Sequence, residues 1–135
     1  MLNTERHSRL MIDFENKEYL KLKESDNDEY ADLINGILVS GESIIHTYKS
    51  VRDGLVFTNR RLIAINIQGI TGKKKTITIL PYDRVQAFSV ETAGVIDLDS
   101  ELYLWFSGMG QVKFEFTCRT DVSKICRCIS ECILD

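Results

Sequence analysis

Between Gln111 and Thr117 apolar and polar side chains alternate without a fault: Val112, Phe114 and Phe116 fall on one side, Lys113 and Glu115 on the other. A period of two is the mark of a strand with one dry and one wet face. Shorter runs with the same period fill the chain from Ser43 onward, each closed by a turn signal. They predict seven antiparallel strands over residues 43–51, 55–58, 61–68, 75–80, 84–92, 101–107 and 111–117. Asp53-Gly54 reads as a two-residue hairpin turn, Asn59-Arg60 as the next, and Gly108-Met109-Gly110 as the last. Gly69-Ile70-Thr71-Gly72 makes the connection between them, and Pro81, the only proline, stops the fourth run because it has no N–H to give a central ladder.

On either side of these strands the period changes to that of a helix. Tyr30, Leu33, Ile34, Ile37 and Leu38 form one apolar stripe, with Ser25, Asp26 or Asn27 as the cap and Asp28 and Glu29 in the first turn. After Thr120 or Asp121, Val122, Ile125, Cys126, Ile129 and Ile133 form another. The expected fold is therefore mostly β with α. A seven-stranded, partly open antiparallel barrel over about 42–117 is capped by a C-terminal helix over about 121–133 and preceded by an N-terminal helix over about 26–38. Residues 26–135 make one domain, and residues 1–25, which have no clean period, an N-terminal arm.

No apolar run approaches the ~20 residues needed to span a bilayer, and charges interrupt the N-terminus where a signal peptide would need an apolar core. The expected compartment is the cytoplasm. The net charge of −3 gives no global attraction to nucleic acid. The distribution says more: residues 49–75 hold seven bases (Lys49, Arg52, Arg60, Arg61, Lys73, Lys74 and Lys75) against one acid, Asp53. Those seven are the candidate ligand-binding residues.

Sites for catalysis or metal are poorly supported. Gly69 to Lys74 lacks the spacing of a phosphate-binding P-loop, because Ile67 stands where the first glycine is needed and the segment leads into a strand. Asp97, Asp99 and Glu101 resemble a calcium loop, yet Leu102 occupies the position that requires glycine. Their expected role is to anchor a loop, through Arg52 or Arg61. His7 and His46 are the only histidines, so no Ser/His/Asp or Cys/His constellation can be assembled with a second suitable imidazole. Of the four cysteines, Cys118 stands alone, and Cys126 and Cys128 point about 160° apart on a helix. Cys126 and Cys132 lie nearer the apolar stripe. The expectation is reduced thiols packing as small hydrophobes, with no metal and no cofactor.

Several segments together resemble the bacterial PH-like domain family. They are Gly41-Glu42, Arg52-Asp53, Val56-Phe57-Thr58-Asn59, Arg61-Leu62, Gln68-Gly69, Thr71-Gly72-Lys73-Lys74 and Pro81-Tyr82, followed by Phe88 to Gly94 and Asp97 to Leu102. The resemblance covers roughly residues 28–134, and residues 1–25 do not match the usual family start. It implies a fold like that of eukaryotic PH domains, assembly into closed homo-oligomeric rings and no enzymatic activity.

In that frame Arg52, Asp53, Thr58, Arg61 and Glu91 are expected to be structural. Tyr103 and Trp105 project opposite to Leu102, Leu104 and Phe106, which makes them candidates for an interface between subunits or for cover by the N-terminal helix. The expected partner is a second copy of the chain, with an unidentified protein partner possible. Binding to anionic membrane through the basic turns is the alternative. It is disfavoured because the Asp53-Gly54 turn is too tight to cradle a lipid headgroup.

Overall fold

The computed structural model describes residues 21–68, 72–92, 99–117 and 120–134. Among these, eight strands form two antiparallel sheets. The larger runs in chain order through β1 (Lys23–Ser25), β2 (Ile44–Lys49), β3 (Gly54–Thr58), β4 (Arg61–Gln68) and β5 (Lys74–Pro81). The smaller holds β6 (Val85–Glu91), β7 (Ser100–Phe106) and β8 (Gly110–Phe116). A one-turn helix, α1 (Ala31–Ile34), precedes β2, a 3-10 turn at Tyr82–Arg84 links the sheets, and α2 (Val122–Leu134) follows β8.

The seven runs read from alternation are β2 to β8. The period puts Leu55, Phe57, Leu62, Ala64 and Leu80 of the larger sheet against Leu102, Leu104, Phe106, Val112, Phe114 and Phe116 of the smaller, in one core closed by Ile125 and Ile129 of α2. Strand β4 is buried on both faces. Leu62 and Ala64 look into the sandwich, and Ile63 and Ile65 look outward beneath Tyr30 and Ile34. That is why its sequence is a near-continuous apolar run.

Strand β1 lies in the segment read as an arm. Three residues are too short to show a period, and tertiary contacts order them. Leu22 is fully buried. Its N–H donates to Glu115 O at 3.0 Å and its carbonyl accepts from the Thr117 N–H at 2.8 Å, which ties the larger sheet to the outer edge of β8. One seam of the sandwich is thus stitched. At the other seam β5 and β6 diverge from the Tyr82–Arg84 turn, so the strands do not close into a barrel.

Three expectations are corrected. The N-terminal helix is one turn, not residues 26–38. Ser25 belongs to β1, and Asn27 donates its side-chain amide to Ile45 O (3.1 Å) instead of capping. The expected apolar face survives in Tyr30 and Ile34. Next, Asp53-Gly54 is not the hairpin turn. Lys49 pairs with Gly54, and Ser50–Asp53 form a four-residue connection closed by the Ser50 N–H to Asp53 O bond of 3.0 Å. Gly54 is needed for space: a Cβ there would stand 2.2 Å from Cε2 of Tyr30. Finally, α2 is rotated from the expected stripe. Val122, Ile125, Cys128 and Ile129 are its buried residues, whereas Cys126 is half-buried and Ile133 is 37% exposed.

Candidate functional site

The polar residues singled out in the sequence divide by location. Thr58 and Arg61 flank the β3–β4 turn and converge on Glu42, whose side chain is wholly buried. Arg61 donates through Nε to Glu42 Oε2 (2.8 Å) and through a terminal nitrogen to Glu42 Oε1 (2.9 Å) and Ile37 O (2.8 Å). Thr58 Oγ1 donates to Glu42 Oε2 (2.7 Å) and accepts from the N–H groups of Arg60 and Arg61 at 3.0 Å each. Burial alone would push the Glu42 carboxyl up, but the Arg61 guanidinium and the Thr58 hydroxyl together hold it below the usual carboxylate value. Arg61 is thereby committed to the fold, and Glu42 is the residue that sequence reasoning missed. Its signal was an acid in Gly41-Glu42 immediately before an apolar strand.

Asp53 serves the same end at the opposite pole of the sheet. Fully buried, it accepts from the Ile67 N–H at 2.8 Å and lies 3.4 Å from the Asn66 amide nitrogen. Glu101 is not anchored by Arg61: it sits in β7, where it accepts from the Tyr103 hydroxyl and pairs with Lys113 at 3.4 Å. The Tyr103 hydroxyl, foremost, together with Lys113 lowers the Glu101 pKa, and the same bond raises that of Tyr103 to about 12. Glu91 is exposed and faces Glu101 across the β6–β7 ladder. Asp99 is half-buried just before β7, and Asp97 lies outside the described residues.

The strand register sorts the seven bases. Lys23, Lys49, Gly54, Ile65 and Ile77 form one row across all five strands. Beyond that row lie the Ser50–Asp53 connection, with Arg52, and the start of β5, with Lys73, Lys74 and Lys75. Five of the seven therefore gather at one end of the larger sheet. Arg60 and Arg61 lie at the other, since Arg61 pairs with Pro81 while Gln68 pairs with Lys74. Seven residue steps of ~3.3 Å separate those pairs by about 23 Å. Lys49 is bonded to Glu29 at 3.1 Å. Lys21 and Lys23 join the basic end, where with Lys49, Ser50 and Val51 they line an open cleft of about 470 Å³.

The outer face of the smaller sheet is different. Tyr103 and Trp105 lie side by side on β7, ring centroids 6.2 Å apart and planes 24° apart, both half-buried. Helix α1 packs on the larger sheet, so it does not cover them as the sequence suggested. Their cross-strand neighbours on β6 are small: Ser89 opposite Tyr103 and Ala87 opposite Trp105. A shallow recess of about 380 Å³ results, bounded by Ser89, Glu91, Tyr103, Trp105 and Gln111. Strand β6 is also an edge, as is β5, and among the described residues no strand pairs with the outer side of either. Ile77 and Ile79 of β5 are only half-buried.

Two antiparallel sheets joined at one corner, open between β5 and β6 and capped by a C-terminal helix, define a PH-like domain. The family model described as bacterial PH domain matches residues 13–133, and the chain belongs to that family. The match reaches into residues 13–27, ahead of the expected start. A pleckstrin-homology domain protein from Shewanella loihica superimposes with a TM-score of 0.74 at 39% identity, covering 84% of this chain and 97% of that one. A pleckstrin homology domain from Shewanella amazonensis gives 0.64 at 41% identity, covering 82% and 90%. Among curated relatives, the uncharacterized protein YjqA of Bacillus subtilis is 54% identical over 72 residues, 53% of this chain and 58% of its own length. The uncharacterized YozO of the same organism is 34% identical over 92 residues, 68% and 79%. No helix among the described residues is long and apolar enough to cross a membrane.

Proposed function

We propose that the chain is a non-catalytic module of the cytoplasm whose first partner is a second copy of itself, and that it builds a closed ring serving as a scaffold. One observation carries this reading: the edges of β5 and β6, unpaired among the described residues, are complementary. Run antiparallel, β5 of one copy meets β6 of the next with Lys75 opposite Glu91, Ile77 opposite Ser89 and Ile79 opposite Ala87. The half-buried isoleucines then fall beside the recess flanked by Tyr103 and Trp105, and the charges pair. Thr76 and Thr78 face Val90 and Phe88 on the inner side. Unpaired edges invite such pairing, and the Lys75–Glu91 and Thr78–Phe88 pairs are of types favourable by about 0.2–1 kcal/mol each. Because the two edges differ, the contact is head-to-tail, and it generates a ring where its rotation closes. Light scattering at micromolar concentration is the test: a closed oligomer supports the reading and a monomer contradicts it.

A second reading has its own observation, the gathering of Lys49, Arg52, Lys73, Lys74 and Lys75 at one end of the sheet. The exposed Lys73, Lys74 and Lys75 of that end attract an anionic bilayer electrostatically, by about 1 kcal/mol per cation close to the surface. It predicts co-sedimentation with acidic liposomes that weakens as salt is raised. Absence of binding even at low salt rejects it.

A further inference from the structure

The cysteines of α2 belong to neither surface. Cys128 is buried and Cys132 half-buried, one helical turn apart on the side of α2 that faces β2 and Tyr82, and neither is in a disulfide. Residues four apart on a helix carry Cβ atoms about 5–6 Å from each other. The Cys128 thiol lies close to Cys132 and to the Tyr82 hydroxyl. Tyr82 is fixed in turn by its 2.8 Å bond to Thr58 O. The pair stands in the wall of an open cleft of about 470 Å³ between β2 and α2, with His46, Asn59, Lys124, Arg127 and Glu131 around it. The cleft gives solvent, and any solute ion, a path to both sulfurs.

We propose that Cys128 and Cys132 bind one thiophilic monovalent ion, Cu(I), as a two-coordinate bis-thiolate. The donor set selects the ion. Two sulfurs on adjacent turns can grip a soft d10 cation from both sides, and soft thiolates favour Cu(I). Zinc needs four ligands in a structural site, and the described residues contain no group of three His, Cys, Asp or Glu side chains placed to hold a metal. On binding, two S–H bonds break, two S–Cu bonds form and two protons leave to solvent. Tyr82 packs beside Cys128 with its hydroxyl hydrogen committed to Thr58 O, and His46 lies at the mouth.

The test uses the full chain carrying Cys118→Ser and Cys126→Ser, so that only the pair remains. Anaerobic titration with Cu(I) against the chromophoric chelator bathocuproine disulfonate is expected to give one bound equivalent and two released protons per ion. Adding either Cys128→Ser or Cys132→Ser should weaken binding by more than about 100-fold, the upper end of what loss of a merely supporting group costs a metal site. Cys132 is only half-buried, so its variant should keep the parent far-UV circular dichroism and report on coordination and not on folding. Failure of the parent to take Cu(I) from the chelator overturns the proposal. So does one-equivalent binding that survives Cys132→Ser, or Zn(II) binding as tight as that of Cu(I).

Discussion

Replacing Gly54 by alanine should be among the most damaging single-methyl changes available to this chain. The backbone does not forbid it, since Gly54 is not among the positive-φ glycines. Space does: the new Cβ would meet Cε2, Cζ and the hydroxyl of Tyr30 at 2.2, 2.4 and 2.6 Å. Reaching an ordinary 3.4 Å contact moves the ring by about 1 Å or more. That ring is 5% exposed and packs on Ile63 and Ile65, and its hydroxyl donates to Asp53 O at 2.8 Å, with Arg52 O at 3.1 Å. Losing most of an aromatic side chain's burial costs about 2 kcal/mol, and leaving the Asp53 carbonyl without its donor costs about 1–3 kcal/mol more. The sum, about 3–5 kcal/mol, can be read from urea unfolding curves followed by Trp105 fluorescence. In a Tyr30→Ala background the same Gly54→Ala change should cost less than about 1 kcal/mol, because the clash is gone. A loss below 1 kcal/mol in the parent, or an equal loss in both backgrounds, would refute the reasoning.

The Glu42 site gives two further expectations. Arg61→Ala leaves a buried carboxylate without its cation and should destabilise by about 3–5 kcal/mol, whereas the exposed Arg60→Ala stays within about 0.5 kcal/mol; paired denaturation curves decide. Because the folded-state pKa of Glu42 lies below its unfolded value, its contribution is complete above that unfolded value, near pH 4.3, and is lost as pH falls through the folded pKa. The urea midpoint should therefore drop between pH 7 and pH 3, and drop less in the Glu42→Gln variant; equal drops contradict the assignment. Changing Lys73, Lys74 and Lys75 together to alanine should abolish any binding to acidic liposomes, while Arg60→Ala, at the far end of the sheet, leaves it intact. Equal effects would mean that the bases do not act as the register groups them.

How much of this was legible depended on where each residue's reason lies. Strands β2 to β8 carry their own alternation, so their places in the chain followed from the sequence alone, and for β8 the inward face as well. Strand β1 did not, because Leu22 is held by Glu115 and Thr117, more than ninety residues away in sequence. Asp53-Gly54 misled for a physical reason. The dipeptide matches a turn, yet the glycine is there to admit Tyr30 and the aspartate to hold the Ile67 N–H. Arg61 was legible as a charge but not as a buried one, since nothing local reveals that Glu42 lies across the β3–β4 turn. The separation of the bases into two ends required the β4–β5 register. The alternation of β7 did expose Tyr103 and Trp105 as residues on the outer face, and the structure adds the small neighbours that leave them open.

The edge-to-edge account is tested most directly by exchanging its one charge pair. Mass should be measured by size-exclusion chromatography with light scattering for the parent, Lys75→Glu, Glu91→Lys and the double variant that carries both. Each single change puts like charges opposite each other across the contact and should shift the oligomer toward monomer, while the double change, which restores the pair in reverse, should recover the parental mass. Oligomers untouched by either single change, or single-change losses that the double variant does not repair, would contradict the pairing of β5 with β6.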